Sequence, residues 1–291
     1  MQAKSKTASM RASSGMEHRV TAGSVALEIV SIFLAIIIFL PILWMACVSF
    51  KTDEASISSA FQYFIPPFTI KNYSEVLTGR PQVVRWVLNS FGVAGVVTIF
   101  TTLLCSMASY ALAKLKFRYS KGIYIYYLIG LMVPGEATIV SLFVLANKLG
   151  MIDTYMGLIL PSLAGSMNII IMTSFLRGIP DDLVEAARID GAGELSTYVN
   201  VILPLSRTVI VTVAIFTFIG NWNSYLWPYL CAMDEDMFTL PVGIPTFISQ
   251  FSVDKTVPMT VNMIASIPIV LFFIIFEKQI VKGITLAGIK G

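Results

Sequence analysis

Two stretches of the chain carry polar side chains that could bind a solute within apolar surroundings. Glu136 stands in the run MVPGEATIV, directly after a Pro-Gly pair, and Asn221, Trp222 and Asn223 follow one another in a later run. An aromatic ring can stack on the C–H face of a pyranose while amides bond its hydroxyls, so the trio could contact a sugar. Glu136 would cost about 2.5 to 3.5 kcal/mol in hydrocarbon, so we expect it to face protein or water beside a broken helix.

Structural interpretations of these residues stay open. A protonated, buried acid would equally explain Glu136, and asparagines often hydrogen-bond neighbouring helices. The three cysteines lie in separate apolar runs, which favours buried thiols over a disulfide or a metal site. The only histidine, His18, lies near the N-terminus and makes no metal site alone.

A third stretch, residues 178–206, is a charged segment between two apolar runs, and we call it the knob. Asp182 and Glu185 have the spacing of a capping box, which predicts a helix that begins near Asp181. Gly191 stands where this helix should stop, because glycine adopts the left-handed backbone of a C-cap without steric cost. On the helix, one face carries Leu183, Ala186, Ala187 and Asp190, and Glu185 flanks it.

The rest of the knob should form a second short helix over Glu194–Val201. Leu203 and Pro204 then introduce the next apolar run, with the proline tolerated in its first turn. The two alanines keep the first helix low enough for close approach by another protein.

The elements that carry these residues belong to a membrane. Of the 291 residues, 56% are hydrophobic and 13% are charged, with a mean hydropathy of +0.79, whereas a soluble domain has about 25% charged residues. Crossing the bilayer takes about 20 apolar residues, and such runs predict an all-α polytopic protein with six transmembrane helices. The runs are Ile29–Phe50, Trp86–Ala113, Gly122–Asn147, Thr154–Leu176, Thr208–Met233 and Val257–Phe276.

The distribution of Lys and Arg predicts that both termini are cytoplasmic. With that orientation, 14 of the 20 basic residues lie inside, as the positive-inside rule requires. This asymmetry accounts for the net charge of +3, so no nucleic-acid partner is expected. The expected organisation is an N-terminal cytoplasmic tail (1–24), a transmembrane domain (25–282) with the knob between helices 4 and 5, and a C-terminal cytoplasmic tail (283–291).

The knob resembles a known signature. Its residues Glu185, Ala186, Ala187, Gly191, Leu203 and Pro204 match the pattern EAA-x3-G-x9-I-x-LP of the membrane subunits of ATP-binding-cassette (ABC) importers, with Val201 at the isoleucine position. The stretches FIPPFTIKNYSEVL, LGMIDTYMGLILPSL, FIGNWNSYLWPY and GITLAGIKG are similar to carbohydrate permeases of the maltose-transporter type, in particular to the smaller of two paired permeases.

This resemblance implies an importer permease in the cell membrane that moves a sugar or oligosaccharide by ATP-driven alternating access. It implies four kinds of partner: a second permease, two ATPase subunits, an extracytoplasmic sugar-binding protein and the lipid bilayer. It also makes the first knob helix a coupling helix that seats in an ATPase groove, where Glu185 meets a polar or basic group and the alanines pack.

The chain itself is not expected to be an enzyme. The phosphate-binding pattern Gly-x4-Gly-Lys-Ser/Thr is missing from the sequence, so ATP and Mg²⁺ should bind the partner ATPases, and no cofactor is expected on this chain. Three alternatives stay open: an importer permease for another solute, an ion-coupled secondary transporter built on Glu136, and a scaffold that transports nothing.

Overall fold

The computed structural model describes residues 22–52, 60–163, 165–247 and 255–288, with side chains as far as residue 280. Within these ranges the chain is helical and has no strand, which confirms the all-α prediction. The α-helices are α1 Ala22–Ser49, α2 Lys71–Gly79, α3 Pro81–Lys114, α4 Ser120–Met132, α5 Gly135–Lys148, α6 Tyr155–Ile159, α7 Ser166–Arg177, α8 Asp182–Ile189, α9 Glu194–Thr197, α10 Leu203–Leu205, α11 Arg207–Trp222, α12 Leu226–Cys231, α13 Leu240–Gly243 and α14 Thr256–Gly288.

The predicted N-terminal tail lies largely outside the described ranges, and the predicted C-terminal tail lies partly outside them. Residues 1–21, which include His18, and residues 289–291 are not described. Helix α1 begins at Ala22, inside the predicted N-terminal tail, and α14 continues to Gly288, inside the predicted C-terminal tail.

Three helices are long and apolar enough to cross a membrane without a break. They are Gly23–Ser49, Pro81–Lys114 and Thr256–Ile280. Three further candidates are bent helix pairs: α4 with α5 at 100°, residues 155–163 with α7 at 40°, and residues 194–205 with α11 at 79°. The described residues therefore hold three to six spans, and the first, second and sixth predicted runs are single helices.

The break between α4 and α5 falls at the Pro-Gly pair that the sequence singles out. Val133 and Pro134 are extended, and α5 begins at Gly135. Proline has no backbone N–H and disfavours helical geometry in the residue before it, so α4 ends at Met132. Glu136 therefore lies in the first turn of α5 rather than in the middle of one long helix.

Helix α3 is the central helix of the bundle. It packs most extensively against α11 and α7, and it also contacts α2, α4, α6 and α13. Its buried residues contribute to all four apolar core clusters of the described chain, one after another along its length. By contrast, α1 packs chiefly on α14, and most of its side chains are exposed. In a membrane, that apolar surface is suited to lipid.

The N-terminal end of α3 holds a folded segment over residues 234–247, which we call the cap. The α3 side chains bond its backbone: the Trp86 indole N–H donates to the Glu235 carbonyl at 2.8 Å, and the Asn89 amide donates to the carbonyls of Asp236 and Phe238 at 2.8 and 2.9 Å. The Ser90 hydroxyl accepts from the Leu240 N–H at 2.7 Å. These contacts attach the backbone of the cap to α3, and the buried Leu240 packs in the same core cluster as Trp86.

Candidate functional site

The knob is fastened to the C-terminal end of α3 through one face of its first helix. Val184 is the buried residue of α8, at 3% exposure. It belongs to an apolar cluster with Tyr110 of α3, Leu176 of α7, and Tyr198 and Ile202 from the second half of the knob. This cluster makes the knob part of the same folded body as the bundle.

Lys114, the last residue of α3, joins the bundle to the entry of the knob. Its side chain is only 2% exposed, and its ammonium group donates to the Ile179 carbonyl and to the Asp181 carboxylate, both at 2.5 Å. The hydrogen bond and the positive charge of Lys114 lower the pKa of the Asp181 carboxyl. The ion pair therefore ties the first residues of the knob to the bundle.

Glu194, the first residue of α9, makes the second polar link. Its carboxylate accepts from the Tyr110 hydroxyl at 2.8 Å and from the Arg188 guanidinium at 2.9 Å. The Tyr198 hydroxyl and the Ser106 hydroxyl of α3 lie 2.6 Å apart in a buried hydrogen bond. Both halves of the knob are thus bonded to α3, and Arg188 connects them to each other through Glu194.

The two ends of α8 differ in how well the sequence predicts them. The helix begins beside Asp181 as expected, but no side chain caps it, so the predicted capping box of Asp182 and Glu185 is not formed. The physical reason is that Asp181 occupies the N-cap position with helical backbone angles, and its carboxylate is bound to Lys114 instead.

The stop at Gly191 is as expected. Gly191 has φ = +82°, its N–H donates to the Arg188 carbonyl at 3.0 Å, and the Ala192 N–H donates to the Ala187 carbonyl at 2.9 Å. This pair of bonds is the Schellman motif, in which a left-handed residue turns the chain away from the helix.

The second half of the knob forms the expected helix but ends differently. After α9, residues Tyr198–Ile202 form one turn of π-helix, in which the Leu203 N–H donates to the Tyr198 carbonyl. Pro204 follows in α10, and the chain then bends by 79° at Ser206 before α11 begins at Arg207. The expectation that Leu203 and Pro204 lie in the first turn of the next span is wrong. The proline cannot continue the backbone hydrogen bonds, so it lies before a bend instead.

The remaining surface of α8 is turned away from the bundle. Leu183, Glu185, Ala186 and Asp190 are exposed, and Ala187 is half-buried. The side chain of Ile189, which sequence reasoning did not single out, is 86% exposed, and Leu195 on α9 is also exposed. Together with Leu183, these two residues give the outward side of the knob three exposed apolar side chains.

The two candidate solute-binding stretches lie in different surroundings. Glu136 is exposed in the first turn of α5, where the helix dipole favours a negative charge. Within the described residues it forms no salt bridge. Trp222, at 2% exposure, is instead packed in the core beside Phe91 and Phe218, and its indole N–H donates to the Ala265 carbonyl.

The two asparagines that flank Trp222 bond their own helix. The Asn221 amide donates to the Thr217 carbonyl and the Asn223 amide to the Ile219 carbonyl, each four residues back. Asn221 is half-buried and Asn223 is exposed. No hydrogen bond or ring contact in the described part of the chain joins this trio to Glu136. The structure therefore brings the knob residues together, but it does not gather the four solute-binding candidates.

Metal binding has no support in the described ranges, which hold no group of three His, Cys, Asp or Glu side chains close enough to share an ion. Cys105 and Cys231 are buried free thiols and Cys47 is a half-buried one, which fits the structural interpretation of all three.

The sequence of the chain is similar to known proteins over most of its length. The chain is 30% identical over 261 residues to the arabinooligosaccharides transport system permease protein AraQ of Halalkalibacterium halodurans, covering 89% of this chain and 94% of that protein. It is 33% identical over 274 residues to the trehalose/maltose transport system permease protein MalG of Thermococcus litoralis, covering 92% and 97%.

A solved structure has the same fold. The crystal structure of a bacterial ABC transporter involved in the import of the acidic polysaccharide alginate contains a chain that matches with a TM-score of 0.79 at 21% identity, covering 88% of this chain and 95% of that one. Residues 103–286, which include the whole knob, match the family model described as binding-protein-dependent transport system inner membrane component. The chain belongs to this family of inner-membrane permeases.

Proposed function

We propose that the chain is one of two permease subunits of an ABC importer that brings a sugar or oligosaccharide into the cytoplasm. The observation that carries this proposal is the knob: its inner face is bonded to α3, while Leu183, Glu185, Ala186 and Ile189 face outward. The carbohydrate relatives support the substrate class. The transmembrane domain spans residues 25–282 and crosses the membrane six times, with both termini and the knob in the cytoplasm.

In this proposal α8 is the coupling helix. The exposed Ile189 and the low surface of Ala186 and Ala187 enter a groove of an ATPase subunit, and Glu185 meets a polar or basic group there. Leu203 and Pro204 place the bend that redirects the chain from the knob into α11. ATP and Mg²⁺ bind the two ATPase subunits, so ATP hydrolysis takes place outside this chain.

The bonds between the knob and α3 connect movement of the ATPase subunits to movement of the membrane helices. When the ATPase pair closes, it moves the knob, and the bonds of Lys114, Tyr110 and Ser106 carry that displacement into α3. Because α3 also holds the cap at its other end, a shift of this helix reaches both faces of the membrane. The extracytoplasmic sugar-binding protein docks at the face that carries the cap.

The candidate residues for the solute pathway differ in how accessible their side chains are. Asn221, Asn223 and Glu136 stay candidates, because their side chains are at least partly exposed in this chain and a second permease would complete the pathway. Trp222 is a candidate only for a conformation in which α11 separates from α14, since its ring and N–H are occupied by the core in this one.

The test is to purify the tagged chain from its native membrane and to measure what accompanies it and whether substrate stimulates ATP hydrolysis. We expect a second permease and an ATPase to co-purify, and we expect Glu185→Arg to abolish both the ATPase association and sugar uptake. Glu75→Arg is the matched control, because Glu75 is an equally exposed carboxylate on α2, far along the chain from the knob.

Three results would overturn parts of this proposal. A chain that is recovered alone, with unchanged uptake in Glu185→Arg, would favour an ion-coupled transporter built on Glu136. A chain recovered alone that takes up no solute would favour a scaffold. Normal ATPase association with uptake of a different solute class, and of no carbohydrate, would keep the importer and replace the substrate.

A further inference from the structure

A cluster of basic side chains lies where α3 passes into α4, beside the end of α7, and we call it the basic rim. Its members are Lys116, Arg118, Lys121 and Arg177. All four are exposed, and within the described ranges none of them forms a salt bridge or a side-chain hydrogen bond. Lys114, only two residues before the rim, is by contrast buried and paired with Asp181. The rim therefore has charges without an ion-pair partner in the described part of the chain.

Aromatic rings orient two of these cations. The Arg177 guanidinium lies over the Tyr124 ring with 4.1 Å to the centroid, and the Arg118 guanidinium lies over the Tyr119 ring at 5.9 Å. A guanidinium stacked on a ring keeps its N–H groups free at its edge, where they can donate to phosphate oxygens. Tyr119 is itself 67% exposed, as aromatic residues at a membrane surface often are.

An exposed apolar track runs from the rim along α4. It consists of Ile123, Tyr126, Ile129 and Met132, which are all exposed and, at three-residue spacing, wind part of the way around the helix. Helix α4 packs chiefly on α7 and to a smaller extent on α3, so the sides that face neither helix are uncovered by the described chain. Its 13 residues extend over about 20 Å, which is enough to line most of an acyl chain. Charge at one end and an apolar track leading away from it is the arrangement that a phospholipid requires.

We propose that the basic rim and the track beside it form a binding site for an anionic phospholipid, with the lipid phosphate among the four cations and an acyl chain along α4. Asp181 hydrogen-bonds Lys114 and forms no ion pair with a member of the rim, although the charge of Lys116 helps to lower the pKa of its carboxyl. A soluble protein with an acidic surface could neutralise the rim, but it would leave the track uncovered. This site requires only that the rim lies at a membrane surface, so it does not depend on the transported solute.

Native mass spectrometry of the purified full chain, with phosphatidylglycerol or phosphatidylcholine added, tests this site. We expect the wild type to retain phosphatidylglycerol in preference to phosphatidylcholine, and salt to weaken that preference. The triple variant K116Q/R118Q/K121Q should bind phosphatidylglycerol at least about tenfold more weakly, because each basic residue near the surface attracts anionic lipid. Each of these three side chains is exposed, so the substitutions leave the core untouched.

Two further variants separate the site from general effects of charge. K71Q/K148Q/K255Q removes three other exposed charges and should bind like the wild type. K116R/K121R keeps the charge and leaves Arg118 in place, so it should also bind like the wild type. Equal phosphatidylglycerol affinity in the two glutamine variants would overturn the site. Displacement of the lipid by inorganic phosphate, or loss of a protein partner with unchanged lipid binding, would overturn it as well.

Discussion

The two ends of α3 hold their neighbouring segments in different ways. At the N-terminal end, Trp86 and Asn89 bond backbone carbonyls of the cap, and Gly243 lies so close that an added Cβ would be 2.0 Å from the Trp86 ring. At the C-terminal end, the knob is held by side-chain pairs and by an apolar cluster in which Val184 is the buried residue of α8, while most of α8 is exposed. The cap is therefore built to stay in place, whereas the knob is anchored on one side and free to bind on the other.

The largest effect should come from filling the space at Gly243. Gly243→Ala forces the Trp86 ring or the cap backbone to move, and overpacking of this kind costs about 1 to 3 kcal/mol or more. We expect a clear fall in the melting temperature of the purified protein. Gly95→Ala on α3 is the control, because a Cβ there meets nothing within 4 Å. Equal melting temperatures for the two variants would show that the cap is loosely packed.

Truncation of a buried side chain on α8 should lower stability, whereas truncation of an exposed one should weaken ATPase association. Val184→Ala removes buried methyl groups from the cluster around Tyr198 and should lower the free energy of unfolding by about 2 kcal/mol. Leu183→Ala, next to it but exposed, should change stability by less than about 0.5 kcal/mol and reduce ATPase association instead. Unfolding titrations and co-purification measure the two quantities separately. A loss of stability in Leu183→Ala would remove the distinction between the faces.

The turn that ends α8 can be tested with two neighbouring glycines. Gly191 has φ = +82° and Gly193 has φ = −71°, and a Cβ at either position meets nothing within 4 Å. Gly191→Ala should cost about 1 to 2 kcal/mol from backbone strain alone. Gly193→Ala should be close to neutral, because its backbone angles suit any residue. The same cost at both positions would mean that the left-handed turn is not what fixes the knob.

The smallest effect concerns pH. The Lys114 pair lowers the pKa of Asp181, so the stabilisation that it gives is complete above the ordinary aspartate pKa and is lost as the pH falls through the lowered value in the folded protein. Melting temperatures measured against pH should show this acid-side decline in the wild type and a shallower one in Asp181→Asn. Identical acid profiles would indicate that the pair contributes nothing to the anchoring of the knob.

Sequence reasoning predicts the knob better than its attachment. The start near Asp181, the stop at Gly191 and the break at Pro134 follow from local backbone chemistry, which neighbouring residues determine. The inward direction of Val184 does not follow, because an eight-residue helix with apolar residues on several sides has no unique buried face. The pairing of Lys114 with Asp181 joins residues 67 positions apart, and no local pattern reports it.

Contacts between residues distant in sequence also determine where the solute-binding candidates and the cap lie. The Asn-Trp-Asn trio has the composition of a sugar site, yet Trp222 is in the core because α3 and α14 enclose it. No local pattern in residues 234–247 predicts that the cap folds against α3. Trp86 is the residue that indicates such a contact, because a buried tryptophan requires a hydrogen-bond acceptor for its N–H, here the Glu235 carbonyl of the cap.

A photo-crosslinking residue at position 189 tests directly whether the exposed face of the knob meets an ATPase subunit. Ile189 is 86% exposed at the tip of α8, so the substitution leaves the core intact. The same residue at Ile70, which is also exposed but precedes α2, is the control. We expect irradiation of native membranes to crosslink position 189, and not position 70, to an ATP-binding subunit. Crosslinks from position 189 only to lipid or to the chain itself would contradict it.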